Sequence, residues 1–219
     1  MRFLAAIFDL DGTLLDTIDD LAAAMNAALT QLALPTRPNV AEHKYMVGEG
    51  MLNYARRAMP PELRTDETVL AKLTAVYRGI YTKNYNIKTK AYDGVVEAVE
   101  AMRKAGMRCA VLSNKPDDAT IATVSEFIGL EHFDLVRGAR DDVPLKPDPS
   151  SALAIARDMK IAPEDFAYIG DTSIDMQTAV GAGMYPIGAL WGFRRADELL
   201  GAGAKALVER PIDLLKHVL

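Results

Sequence analysis

Apolar residues fill Phe3-Leu4-Ala5-Ala6-Ile7-Phe8 without alternation, then give way abruptly to Asp9 and Asp11. A short run apolar on both faces is what a central parallel strand needs when helices cover it on either side. Six residues are too few for the apolar centre of a secretion signal (about 7–15) or a membrane helix (about 20), so the run predicts a buried strand. Beyond it the period lengthens. Leu21, Met25, Ala28, Leu29 and Leu32 recur at steps of three and four, and Pro35 and Pro38 are expected to stop that helix. A short helix is expected after the turn Gly48-Glu49-Gly50, ending at Pro60-Pro61. A longer one follows through Val69, Leu70, Leu73, Val76, Tyr77, Ile80 and Tyr81. No strand pattern interrupts residues 15–88, which read as a small helical bundle.

From about residue 89 strand and helix alternate. A helix carrying Val95, Val96, Val99 and Met102 is capped by Gly106. Met107 to Ser113 reads as a strand, and Pro116 as the first turn of a helix carrying Ile121, Val124 and Phe127, which Gly129 ends. A strand at Phe133 to Val136, a helix at Asp148 to Met159 and a strand at Phe166 to Ile169 follow. The remaining units are a helix at 174–182, a strand at 184–189, a helix at 195–200, a strand at 204–208 and a final helix from about 212. Such alternation predicts an α/β fold with a doubly wound, Rossmann-like parallel sheet. Residues 1–14 and 89–219 form its core, and the small α-helical domain of residues 15–88 is inserted after the first strand.

Composition narrows the function without naming it. Half of the 219 residues are apolar and a quarter charged, which excludes wholesale disorder. The net charge is −5 and no Lys/Arg run occurs, so neither nucleic acid nor membrane is an expected partner. One cysteine, Cys109, cannot make an internal disulfide and fits a reducing compartment, hence a cytoplasmic location.

In open α/β sheets ligands bind beyond the carboxyl ends of the strands, and here those ends are all polar. The first strand ends in Asp9-Leu10-Asp11-Gly12-Thr13, the second in Ser113-Asn114, and a later one in Gly170-Asp171-Thr172-Ser173-Ile174-Asp175; a loop adds Lys146. Asp9 and Asp11 stand two apart, so in extended geometry both leave one face. Such a pair is stable with a cation beside it or with a proton shared. Donors that are all oxygen, without His or Cys, favour a hard cation, and Mg²⁺ with carboxylates and a substrate phosphate suits them. Asp171 completes the metal site, and Asp175 either holds metal-bound water or orients Lys146. Ser113 and the backbone N–H of Asn114 can donate to a phosphoryl oxygen, and Lys146 supplies positive charge. A D-x-D pair alone is common on solvated turns. The ordered set along the whole chain is far more specific.

That set resembles the haloacid-dehalogenase-like superfamily, with a helical cap inserted after the first motif. The resemblance implies a phosphoaspartyl intermediate on Asp9, Asp11 as general acid and base, and Mg²⁺ and Lys146 stabilising charge on the phosphoryl group. It also implies a cap closing over the site. Asp11 disagrees with the dehalogenases, whose halide leaves without a proton, and with the phosphonoacetaldehyde hydrolases, leaving Lys44 without a special role. Leu10 and Asp11 differ from the ion-pumping ATPases. Thr17-Ile18-Asp19-Asp20 lacks the histidine typical of sugar-phosphate mutases. Hydrolysis of a small anionic phosphomonoester remains.

Within the phosphatases, Asp16 to Leu21, Ala24, Asn26 and Met46-Val47-Gly48-Glu49-Gly50 resemble the bacterial phosphoglycolate phosphatases. Gly48, Glu49 and Gly50 are then a cap loop for substrate, although a carboxylate at Glu49 suits an anionic substrate poorly. Trp191-Gly192-Phe193-Arg194 resembles pyrophosphatase-like relatives instead. Phosphoglycolate is thus the first expectation; a pyrophosphatase, a nucleotidase or a sugar-phosphate phosphatase or mutase are the alternatives. A receiver-type phospho-acceptor module also uses Asp, Mg²⁺ and Lys, but it needs neither Asp11 nor a helical insertion. The expected partner is a small phosphate ester, with the chain a monomer or homodimer. His43, His132 and His217 lack ligand spacing and are expected at the surface or at helix ends. Cys109 is expected in the core, and Lys44, Arg56 and Arg57 on a solvated helix face.

Overall fold

In the computed structural model, which describes residues 2–219, the first apolar run forms strand β1 (Ala5–Phe8). The chain forms two compact units, one of residues up to Asp16 together with Ala91–Leu219, the other Thr17–Lys90. Short strands β2 (Leu15–Asp16) and β3 (Lys90–Ala91) mark the two crossings between them. No helix among the described residues is long and apolar enough to cross a membrane.

The larger unit is built on a six-stranded, wholly parallel sheet. Its further strands are β4 (Arg108–Pro116), β5 (Leu135–Ala139), β6 (Phe166–Gly170), β7 (Tyr185–Ala189) and β8 (Ala206–Val208), in the spatial order β5-β4-β1-β6-β7-β8. Alternation along β1 shows why its run had to be apolar throughout. Ala6 and Phe8 join Cys109, Val111, Ala167, Ile169 and helix α5 (Val95–Lys104) on one face. Ala5 and Ile7 join Ala110, Leu112, Tyr168 and helix α7 (Ser150–Met159) on the other. Each fully buried Ile, Val, Leu or Phe side chain there contributes roughly 1.5–3 kcal/mol relative to exposure. Helices α6 (Asp117–Phe127), α8 (Ser173–Gly181), α9 (Ala196–Gly201) and α10 (Leu215–Val218) complete the unit.

Among the boundaries that depart from the expected ones are those of β4 and β5. β4 runs on through Asn114 and Lys115 to Pro116, which has extended dihedrals (φ −48°, ψ 142°) and precedes α6 instead of opening its first turn. A prolonged strand carries polar residues to the sheet's rim. β5 begins two residues later than Phe133, which lies at the end of a 3-10 turn.

The smaller unit contains α1 (Ile18–Gln31), α2 (Val40–Lys44), α3 (Met51–Ala58) and α4 (Glu67–Asn84). α1 ends before Pro35, where Ala33 takes a left-handed conformation (φ 53°). The short α2 has no apolar period to announce it, and rests on Asn39, whose side chain accepts from the N–H of Ala41. Asp66 caps α4 through the N–H groups of Thr68 and Val69. The buried Asp20 carboxylate accepts from the N–H groups of Lys88 and Thr89 and from the Thr89 hydroxyl, joining the start of the unit to its end. His43 corrects an expectation: it is fully buried, not at the surface. Its Nδ1 meets Tyr54 Oη and its Nε2 the Arg37 carbonyl, both at 2.7 Å, and burial lowers its pKa. An isolated histidine becomes a core residue when neighbours supply both ring nitrogens with partners.

Candidate active site

β1 and β6 are neighbours whose onward connections leave toward opposite edges of the sheet, which makes their carboxyl ends a switch point and a crevice. Asp9 follows β1 directly; its N–H donates to the Ile169 carbonyl at 2.9 Å, so the ladder holds it in line with β6. Gly12 then turns the chain with φ +91°, and a Cβ there would overlap the Asp171 carboxylate. Only glycine permits both the turn and the close approach. From this turn Thr13 donates its hydroxyl to Asp171 Oδ1 at 2.9 Å. Asp175 lies in the first turn of α8 and closes a capping box with Thr172, whose N–H and hydroxyl donate to Oδ2 at 3.1 and 2.8 Å.

These elements bring ligand oxygens of Asp9, Asp171 and Asp175 within 4.8 Å of one another, all buried. Lys146 reaches into the same cluster. Its Nζ donates to Asp9 Oδ1 and Asp175 Oδ1, each at 2.7 Å, and to the Leu112 carbonyl at 3.0 Å. Asn114 fixes the lysine's backbone reciprocally, donating to the Lys146 carbonyl at 3.0 Å and accepting from its N–H at 2.9 Å. Ser113 is buried beside them, its Oγ accepting from the N–H of Lys115 at 3.2 Å.

The electrostatics follow from this crowding. Burial, then the charge of Asp175, push the Asp9 carboxyl well above the usual range, against the pull of Lys146. Burial and Asp175 likewise raise Asp171 to about 7, while the N–H of Phe193, the Thr13 hydroxyl and Arg194 oppose the rise. Burial disfavours charge on Lys146, yet Asp175 and Asp9 on either side hold its pKa well above that of a free lysine. Lys146 is thus paired with two of the three carboxylates, Asp9 and Asp175. Buried donors that are all oxygen, with surplus negative charge, fit a hard divalent cation.

Asp9, Asp171, Asp175 and Lys146 therefore share one cluster, with Ser113 and Asn114 on the adjoining strand end. Asp11 does not turn its carboxylate into that group of three; its Oδ1 accepts from Lys115 Nζ at 2.6 Å. Asn114 spends its side chain on the backbone of Lys146. Gly48, Glu49 and Gly50 belong to the helical unit, where Gly50 (φ +84°) precedes α3 and Glu49 forms an ion pair with Arg57. That pair matches the charge of Glu49 within the unit. Arg57 is thereby no free solvated cation, and Arg56 is paired with Glu67.

Sequence patterns alone give no role at the site to Lys115, Thr13, Thr172 or the segment Trp191–Arg194. Trp191 Nε1 donates to the Thr13 carbonyl at 2.9 Å, and the N–H of Phe193 to Asp171 Oδ2 at 2.8 Å. Gly192 sits so close that a Cβ would overlap both Asp171 and the Gly12 carbonyl. A lysine ending a buried strand directly after Ser-Asn is the one available signal for Lys115. Nothing local announces a backbone N–H aimed at a distant carboxylate.

Known proteins resemble this chain over most of its length. The sequence profile of the haloacid dehalogenase-like hydrolases matches residues 6–189. A phosphoglycolate phosphatase of Nitrosospira multiformis is 31% identical over 206 residues, covering 93% of this chain and 90% of its own. One of Psychrobacter arcticus is 32% identical over 200 residues, 88% of this chain and 86% of its own. Among solved structures, a proposed phosphoglycolate phosphatase of Lactobacillus delbrueckii subsp. bulgaricus superposes with a TM-score of 0.94 at 30% identity, covering 100% of this chain and 99% of its own.

Proposed function

The chain belongs to the haloacid dehalogenase-like hydrolase family, in its phosphoglycolate phosphatase-like branch, and on that premise we propose that it is a Mg²⁺-dependent phosphatase with Asp9 as nucleophile. Its class is that of a phosphoric monoester hydrolase. The observation that carries the mechanistic reading is Lys146 bridging Asp9 and Asp175 inside a buried carboxylate cluster that includes Asp171.

Asp9 and Asp171, with Asp175, would hold the cation, which supplies charge stabilisation for the phosphoryl oxygens. The chain's own groups do the rest. A carboxylate oxygen of Asp9 forms a bond to phosphorus as the ester P–O bond breaks. The departing oxygen keeps the electron pair and takes a proton from Asp11. Water then attacks phosphorus, gives its proton to the Asp11 carboxylate, and the bonding pair returns to Asp9 as inorganic phosphate leaves. Lys146 favours the anionic form of Asp9 before the attack and orients it. Ser113, held beside it, and the N–H of Asn114 donate to the phosphoryl group.

Phosphoglycolate is the first candidate substrate. The similarity to phosphoglycolate phosphatases of Nitrosospira multiformis and Psychrobacter arcticus supports that choice. The helical unit is proposed as the cap that discriminates between substrates, and the reducing setting implied by one buried cysteine supports a cytoplasmic site of action. The test is phosphate release by purified protein with Mg²⁺ across phosphoglycolate, glycerol phosphate, pyrophosphate, nucleoside monophosphates and sugar phosphates. The highest kcat/KM is expected for phosphoglycolate. Turnover confined to pyrophosphate or nucleotides would overturn the substrate and keep the chemistry; no turnover of any would overturn both.

A further inference from the structure

Two buried ammonium groups serve the core site, and the mechanism above uses only Lys146. The second, Lys115, stands two residues after Ser113 on β4 and donates to Asp11 Oδ1 at 2.6 Å. Its side chain is 4% exposed against 20% for that of Asp11, so the lysine is the embedded side of the pair and the carboxylate the side that reaches solvent. Its backbone is anchored as well. The N–H donates to Ser113 Oγ at 3.2 Å, and the carbonyl accepts from the Thr120 hydroxyl at 3.1 Å. Gly138 of β5 packs so close that a Cβ would overlap that carbonyl. An ammonium this deep requires a counter-charge, and Asp11 supplies it.

We infer that Lys115 is a positioning residue for Asp11, holding its carboxyl group where a proton is handed to the departing oxygen and later taken from water. The inference rests on the phosphatase reading, which gives Asp11 that work. A carboxyl group on a freely rotating side chain spends little time aligned, and a misplacement of about 1 Å costs about 10²-fold in rate. Three successive residues at the end of β4 then have separate roles. Ser113 faces the phosphoryl group, Asn114 carries Lys146 to the nucleophile, and Lys115 aims the acid.

The leaving group provides the test. An alkoxide departs only with a proton, whereas p-nitrophenolate departs without one, and kcat/KM reports the steps up to that departure. With Lys115→Met, kcat/KM for phosphoglycolate, or for glycerol phosphate if the wild type prefers it, is expected to fall about 30-fold or more, and for p-nitrophenyl phosphate about 3-fold or less. Lys115→Arg, which keeps a cation, is expected to restore much of the difference. In an Asp11→Asn background Lys115→Met should change the ratio no further. The ratio comes from one preparation, so it does not depend on the fraction of folded protein; if the Met variant yields none, Lys115→Gln carries the same readout. Equal losses for both esters, or an unchanged ratio, overturn the inference while the phosphatase reading stands. A wild type that releases phosphate from neither ester overturns the inference, and one that also turns over none of the other phosphate compounds defeats the phosphatase reading as well.

Discussion

Asp171 is held from several sides at once: the Thr13 hydroxyl on one oxygen, the Phe193 N–H on the other, and two glycine backbones pressed against the carboxylate. A side chain so confined is pre-oriented as a ligand, and loss of such support typically costs about 10–100-fold in metal affinity. Gly192→Ala is therefore expected to weaken Mg²⁺ binding by about that factor in calorimetric titration. Gly201→Ala, where a Cβ meets nothing within 4 Å, should leave it unchanged. Equal affinities in all three proteins would contradict this account of Asp171. At this scale the sequence discloses the charged groups but not their alignment. Asp9, Asp11, Asp171, Asp175 and Lys146 are legible because carboxylates and a lysine gathered at the ends of buried strands do nothing for packing. The support of Asp171 is not, because a backbone N–H carries no residue identity and Gly192 is far from Asp171 in sequence. The spacing of Asp11 to Asp9 marks it as a metal ligand, and spacing cannot foresee the competing pull of Lys115.

The elements explain which boundaries are readable. β1 and β6 are found with little error because burial on both faces demands unbroken apolar runs. The apolar pattern ends β4 early, at Ser113, because its last residues are polar, and polar residues at a strand's end look like a loop. α2 escapes the pattern for its length, and the prolines mark the end of α1 too late, since the chain turns earlier, at Ala33. α4 offers a clean test of the underlying energetics. Gly79 lies exposed in its interior, and a Cβ there would meet nothing within 4 Å. Gly79→Ala removes backbone freedom from the unfolded chain without touching a neighbour, so it should stabilise the protein by about 0.5–1 kcal/mol in denaturant unfolding. A destabilised variant would mean that α4 does not hold this conformation.

At the scale of the whole molecule, one switch point gathers charge that the rest of the fold must tolerate. In the metal-free chain Asp9 and Asp171 have folded-state pKa values raised by burial and by Asp175, Asp171 to about 7. Groups raised on folding stabilise fully below their unfolded pKa, and that contribution is lost as pH rises through the folded value. A cation competes for the same oxygens, so it compensates for the loss where it occurs. The rise in thermal midpoint on replacing EDTA with Mg²⁺ is accordingly expected to be larger at about pH 8 than at about pH 6. A rise of equal size at both would contradict the assignment of these carboxylates as the cation's ligands. The central claim is more direct still: the Asp9 carboxylate forms the bond to phosphorus. The measurement is phosphate release in the presence of Mg²⁺ by wild type and by Asp9→Asn at matched concentration, both shown to be folded. Release by the wild type with a loss of about 10⁴-fold or more in the variant is the predicted result, and Mg²⁺-dependent release retained by Asp9→Asn would contradict it.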